Sequence, residues 1–192
     1  MRQCCLAIGP AMPSDFPSPF PSQPDPASAP ALPAGPQALV RLATPADAGP
    51  LCAWLQSRQA LPVAAARARD ALVENLLARP ERGTCVLAVA GGAPAPRMMG
   101  CLPVTLVPHL QLSGLAALAA EWWAGAEAAQ EDPAILQACC DLLADWCRAH
   151  GVRHLLLAPA LLSASQAASA GFVAHAGGLW HRNLSPAPKT LG

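Results

Sequence analysis

The chain has 192 residues, 53% of them hydrophobic and only 12% charged, and its formal net charge is zero. A neutral balance gives no electrostatic pointer to nucleic acid or to a membrane surface, and no apolar run approaches the ~20 residues that a membrane span needs. The length fits one domain plus a tail, with enough chain to bury a core.

The eight cysteines are Cys4, Cys5, Cys52, Cys85, Cys101, Cys139, Cys140 and Cys147. None forms a C-x-x-C pair, and no Cys/His spacing matches a zinc site. Most fall within predicted helices or strands, where free cysteine behaves as a small apolar residue. They read as reduced and structural, with a cytoplasmic location and no bound metal. The apolar piece Cys4 to Ile8 is shorter than a signal-peptide core of about 7–15 residues.

Residues 1–37 carry ten prolines, from Pro10 to Pro36, which leave no room for a helix or a central strand. The expectation is a disordered tail. The domain is expected over 38–185, with a short polar tail at 186–192. It opens with a strand at Leu39–Leu42. Thr44-Pro45-Ala46-Asp47 reads as a helix start, with an acid three residues after the cap, and that helix runs to about Ser57. A second helix spans Val63 to Ala78. Strands follow at Thr84–Ala90 and Met98–Val107, joined by a Gly/Pro-rich turn. Pro103 marks an irregularity or an edge in the second. A third strand runs from Leu115 to Gly125. Alternation places Ala117, Ala119, Glu121 and Trp123 on one face, with Leu118, Ala120 and Trp122 on the other.

The stretch from Glu121 to Pro159 organises the rest. Asp132 is a good N-cap and Pro133 suits the first helical position. Ile135, Leu136, Cys139, Cys140, Leu143, Trp146 and Cys147 recur at three- and four-residue steps and form one apolar stripe. Gly151 ends the helix. A strand at His154–Leu157 completes a strand–loop–helix–strand unit. In such units the helix N-terminus favours an anionic ligand. A short helix (Ser163–Ala170), a strand from Gly171 and a closing strand at Leu179–Leu184 follow. His175 and His181 are placed to face each other in that terminal hairpin, but two histidines lack the other ligands of a metal site. The order is β-α-α-β-β-β-α-β-α-β-β, an α/β mixture on a mostly antiparallel sheet with one parallel crossover.

That order resembles the GNAT N-acetyltransferase superfamily over about Leu39 to Leu184. Four stretches carry the resemblance: Val40–Asp47, Met99-Gly100-Cys101 with Leu106-Val107-Pro108, Ala144–Leu157, and Ala168-Ser169-Ala170-Gly171-Phe172. The resemblance implies an α/β (α+β) fold, with a mixed, mostly antiparallel sheet of about six to seven strands flanked by about four helices. It implies acetyl-CoA as co-substrate, and a small-molecule or peptide amine as acceptor. A homodimer is compatible with it; a nucleic-acid or membrane partner is not expected.

In that family the fourth strand meets the pantetheine arm through its backbone, which maps here onto Trp123 and Ala124. A Gln/Arg-x-x-Gly-x-Gly/Ala loop then wraps the pyrophosphate with N–H groups. The matching place is Gln130-Glu131-Asp132-Pro133-Ala134-Ile135, with Gln130, Ala134 and Ile135 as the contacts. Neither glycine is present, and Pro133 removes one N–H. The tyrosine that many members use as general acid has no counterpart, because the chain contains no tyrosine. Glu121 corresponds to the carboxylate that serves some members as general base, and burial in an apolar strand would raise its pKa toward neutrality. Two functions follow: acetyl transfer from acetyl-CoA to an amine, or a catalytically inactive protein of this fold used for binding or assembly.

Overall fold

The computed structural model describes residues 38–91, 97–125 and 132–186. The expected proline-rich tail, the turn at 92–96, Gln130 and Glu131, and the end of the C-terminal tail lie outside them. The strands are β1 (Ala38–Leu42), β2 (Gly83–Ala90), β3 (Arg97–His109), β4 (Gly114–Ala119), β5 (Trp123–Ala124), β6 (His154–Leu157), β7 (Val173–Ala174) and β8 (Trp180–Asn183). The helices are α1 (Ala48–Arg58), α2 (Val63–Ala78), α3 (Asp132–Ala149) and α4 (Ala164–Ser169). One sheet runs in the order β1-β2-β3-β4-β6-β8-β7, with β5 also paired to β3. Every pairing is antiparallel except β4–β6, the crossover made through α3.

The sheet separates two cores. On one face α3 and α4 pack Leu136, Cys139, Leu143, Cys147, Ala167 and Phe172 against Val86, Leu102, Ala117, Leu155 and Leu157. On the other, α1 and α2 bring Leu51, Leu55 and Leu77 onto Cys85, Leu87, Val89 and Cys101. Strand β2 serves both cores, which is why all eight of its residues are buried. It reads as an unbroken apolar run for the same reason. The α3 stripe is buried as the spacing predicts, with Leu143 and Cys147 at 0% exposure and Trp146 at 8%. Gly151 takes a left-handed φ of 72° just after the helix, and Val152 N–H returns to the Cys147 carbonyl at 2.8 Å.

The six described cysteines are free and, apart from half-buried Cys52, buried. Burial pushes the Cys139, Cys140 and Cys147 thiols up to about 12, because a thiolate there would be charged and poorly solvated.

Three expectations need correction. The helix expected from Thr44 starts as a 3₁₀ turn at Pro45–Asp47, and α1 proper begins at Ala48. The Asp47 carboxylate accepts from the Thr44 N–H at 2.7 Å, and it grips Arg41 at 2.6 and 2.8 Å. Strand β7 is only two residues long and exposed. The strand expected over Leu115–Gly125 is broken: β4 stops at Ala119, and Trp123–Ala124 belongs to a separate strand.

Candidate functional site

The break in that third strand follows from its register. Along β4, Thr105 faces Leu118 and Leu106 faces Ala117. Continued without interruption, this pairing would bring Cys101 opposite Trp122. Cys101 instead faces Trp123, and Gly100 faces Ala124. One extra residue is therefore inserted between Ala119 and Trp123, which is a β-bulge. It reverses side-chain parity. Ala117 and Ala119 point to the α3 core, but Trp123 packs in the α1/α2 core and Trp122 turns to the α3 side. The alternation read from sequence, with Ala117, Ala119, Glu121 and Trp123 on one face, fails at this step. Pro103 fits the same feature: the bulge leaves Leu102–Val104 without partners on the β4/β5 side.

The bulge also ends the parallel pair. Ala119 is the last β4 residue with a partner in β6, opposite Leu157, and one more bond runs from Ala158 N–H to the Ala119 carbonyl at 3.0 Å. Beyond it the chain after Ala119 stays with β3, while the chain after Leu157 turns towards α4. A cleft of about 300 Å³ lies where they part, lined by Trp122, Pro133, Leu136, Leu161, Leu162 and Gln166. The floor of the Trp122 contact is Gly100. A Cβ added there would lie 2.4 Å from the indole Cη2 and 3.0 Å from the Trp123 carbonyl oxygen.

Two helix N-termini border this cleft. Pro133 and Leu136 belong to the first turns of α3, whose leading N–H groups have no intrahelical acceptor. Ala134 there is exposed, whereas the side chain of Ile135 is buried in the core. With α3 starting at Asp132, the Ala134 N–H is one of the leading donors without an intrahelical acceptor, while the Ile135 N–H falls in the first helical turn; the helix dipole adds a partial positive charge at this end. At the start of α4, Gln166 Oε1 accepts from the Ser163 N–H at 2.9 Å and from its hydroxyl at 2.8 Å. This capping box is legible in Ser163-Ala164-Ser165-Gln166. Gln166 also lines the cleft, and its amide NH₂ takes no part in that box.

Glu121 sits within the bulge and is exposed, not buried in an apolar strand as the alternation suggested. Its Oε2 accepts from the Trp123 indole N–H at 2.8 Å. That bond fixes the carboxylate on the α1/α2 side, near enough to Cys101 to help hold that buried thiol protonated, after the larger effects of its Cys85 hydrogen bond and burial. Trp122 and Glu121 thus mark opposite faces of one strand irregularity. Trp123 and Ala124 are half-buried and pair with β3, so the indole lining the cleft is that of Trp122. Sequence reading, which gives Trp122 and Trp123 as core and pocket wall, missed Leu136, Leu161, Leu162 and Gln166 as cleft residues. The capping box was the only available signal, since the bulge carries no glycine or proline of its own.

Among the described residues no group of three or more His, Cys, Asp or Glu is arranged to hold a metal ion, and no helix is long and apolar enough to cross a membrane. No protein-family model matches the chain, and no curated protein does. Solved structures do. The GNAT-family N-acetyltransferase YhbS from Escherichia coli, in complex with CoA, aligns with TM-score 0.55 at 16% identity, over 80% of this chain and 84% of that one. A putative GNAT acetyltransferase from Desulfovibrio desulfuricans aligns with TM-score 0.54 at 16% identity, over 78% of this chain and all of that one. An integron cassette protein from the Cole Harbour Salt Marsh metagenome aligns with TM-score 0.55 at 21% identity, over 80% and 90%. The mixed sheet, its single parallel pair opened by a bulge, and these alignments together show that the chain has the fold of the GNAT N-acetyltransferase superfamily.

Proposed function

We propose that the chain is an N-acyltransferase that moves an acetyl group from acetyl-CoA to a small-molecule or peptide amine. The observation that carries this reading is the cleft just beyond the point where the bulged strand and β6 part, with the α3 N-terminus at its edge. An acyl-pantetheine arm lies in such a cleft as an extended chain, and its amides can use the backbone groups that the two parted strands no longer share. The start of α3 at Ala134 and Ile135, with Gln130 ahead of it, would meet the pyrophosphate. The structure of YhbS holds CoA on the same fold, which supports the choice of donor; an aminoglycoside N-acetyltransferase in complex with CoA also aligns, with TM-score 0.52.

The chemistry is direct transfer. The amine nitrogen attacks the thioester carbonyl, its proton passes to the Glu121 carboxylate, and the tetrahedral adduct collapses with loss of the CoA thiolate. Glu121 is suited to the base role by access, since its carboxylate is exposed on the α1/α2 side, across the bulge from the cleft, and is held by the Trp123 indole. The leaving thiolate takes its proton from solvent, because no tyrosine exists in the chain to supply it. The domain assigned is 38–185, in a cytoplasmic protein that works alone or as a homodimer.

A second reading is favoured by one observation: the expected phosphate loop has no glycine and places Pro133 at the start of α3. On that reading the fold binds a partner and has lost turnover. Calorimetric titration of the full chain with acetyl-CoA and with free CoA decides between them. Saturable binding of both, with thiol release when an amine panel is added, is expected for the transferase. Absence of binding at millimolar ligand would overturn it in favour of the binding module.

A further inference from the structure

Four of the five histidines in the chain meet at the end of the sheet away from the bulge. His109 ends β3, His154 opens β6, His175 begins the β7–β8 turn and His181 lies in β8. His154 and His181 project from the face opposite α3, since their neighbours Leu155 and Leu157 fill the α3 core. His154 Nδ1 and His181 Nε2 are 3.1 Å apart. Ring centroids are 5.3 Å apart for His154–His181, 5.7 Å for His181–His175 and 5.2 Å for His175–His109. His109 Nδ1 is buried without a hydrogen-bond partner, and His175 Nδ1 accepts from the Gly177 N–H at 3.1 Å. The rings are not gathered around one point as metal ligands would be.

The charged groups acting on His154 are His109 and Arg153, and those acting on His181 are His154, His175 and His109. No carboxylate is among them. A neutral imidazole is both donor and acceptor, so the 3.1 Å contact is a good hydrogen bond with neither ring charged, or with one. With both rings protonated it becomes two donors facing each other, and a cation on each side of the β6–β8 pairing. Among the described residues the charged groups acting on the pair include no counter-charge, and the one acceptor acting on it is the Leu112 backbone, at His154 alone.

What this contact joins matters for the cleft. Strand β8 pairs with all of β6, from His154–Asn183 to Leu157–Trp180. The Trp180 indole N–H donates to the Leu162 carbonyl at 3.1 Å, and Leu162 lines the cleft. On the α3 side β8 is tethered by Arg182 to Asp141 at 2.8 Å.

We propose that the histidine cluster is an acid-sensitive latch: protonation of more than one ring loosens the β7–β8 hairpin from β6 and, through Trp180, slackens the Leu162 wall of the cleft. The effect on acyl-CoA rests on the function proposed above; the latch itself does not. Its sense follows from the geometry and from the titration of the two central rings. Burial is the largest cause holding both below the ordinary histidine value of 6.5. The neighbouring cations add to it, and a hydrogen bond to the Leu112 backbone partly opposes it at His154. The closed form therefore binds fewer protons than the open one. The latch has full strength above that value and weakens as the pH falls through it.

The test is amide hydrogen exchange on the full chain without ligand, as protection factors corrected for the intrinsic rate, at about pH 7.5 and about pH 5. Protection in β6 and β8 is expected to fall several-fold on acidification, because the closed form binds fewer protons than the open one. Protection in the middle of α3 should hold. His154→Asn and His181→Gln should each shrink the fall; should either fail to fold, His109→Asn removes a cation at a ring without that hydrogen bond and should shrink it less. Equal protection of the hairpin at both pH values would overturn the latch. So would equal losses in α3 and β8, or an undiminished fall in the folded variants. Acetyl-CoA titration at about pH 7.5, where the latch is closed, tests the transferase reading separately.

Discussion

On the proposed reading the base is Glu121, an exposed side chain held by one hydrogen bond. Glu121→Gln should keep that acceptor for the Trp123 indole while removing the base. The expected result is a kcat lower by about a hundredfold or more with KM for acetyl-CoA unchanged, read in a steady-state thiol-release assay. Asp47 is the opposite kind of residue. Its carboxylate lies well below its ordinary value of 3.8, chiefly because the Arg41 guanidinium donates to it, with burial opposing and Thr44 adding two further donors. A depressed carboxylate pKa means the folded state binds fewer protons, so this contribution is complete above that value and is lost as the pH falls below it. Asp47→Asn should cost about 2 kcal/mol in a urea titration at neutral pH, and the gap between variant and wild type should narrow in strong acid. The Asp47 cap was legible, because Thr44-Pro45-Ala46-Asp47 is a local pattern. The setting of Glu121 was not, since its exposure follows from a register step set by β3.

Helix α3 and the bulge show why elements differ in legibility. The α3 stripe needs only the 3.6-residue period, and all seven of its members are buried. Trp146→Ala should cost about 3–5 kcal/mol by thermal or urea unfolding, with the stacked His150 ring, 4.5 Å away, losing its support. The bulge needs a count of two strands at once. Ala120-Glu121-Trp122 has neither the glycine nor the proline that often marks one, so period-two reading carries through it and assigns the wrong face to Trp123. The signal was in the partner strand, at Gly100 and Pro103. Gly100→Ala tests the element: the new Cβ must displace the Trp122 ring or the backbone behind it. The expected cost is about 1–3 kcal/mol of stability, and a several-fold weaker Kd for CoA as the ring moves into the cleft.

At the scale of the whole molecule, ligand and fold are linked. Acetyl-CoA held at about a hundred times its Kd should stabilise the chain by about 2.7 kcal/mol, seen as a raised Tm, and Glu121→Gln should keep that shift while losing turnover. The order of elements and the single parallel crossover in a mostly antiparallel sheet were legible from the sequence, because short connections leave few ways to arrange them. The approach of His175 to His181, 5.7 Å between ring centroids, was legible within one hairpin; the meeting of His109 with His175, and of His154 with His181, was not, because it joins residues far apart in the chain. The buried thiols give the same molecule a built-in clock. Cys139, Cys140 and Cys147 ride on α3, while Cys85 and Cys101 lie in β2 and β3, facing the other helical layer. A folded thiol pushed up to about 12 scarcely reacts at neutral pH, so an alkylating reagent can count only the moments when each layer opens. Timed labelling, with the modified cysteines read by mass, would therefore report separate opening rates for the two halves of one domain, with no probe added to either.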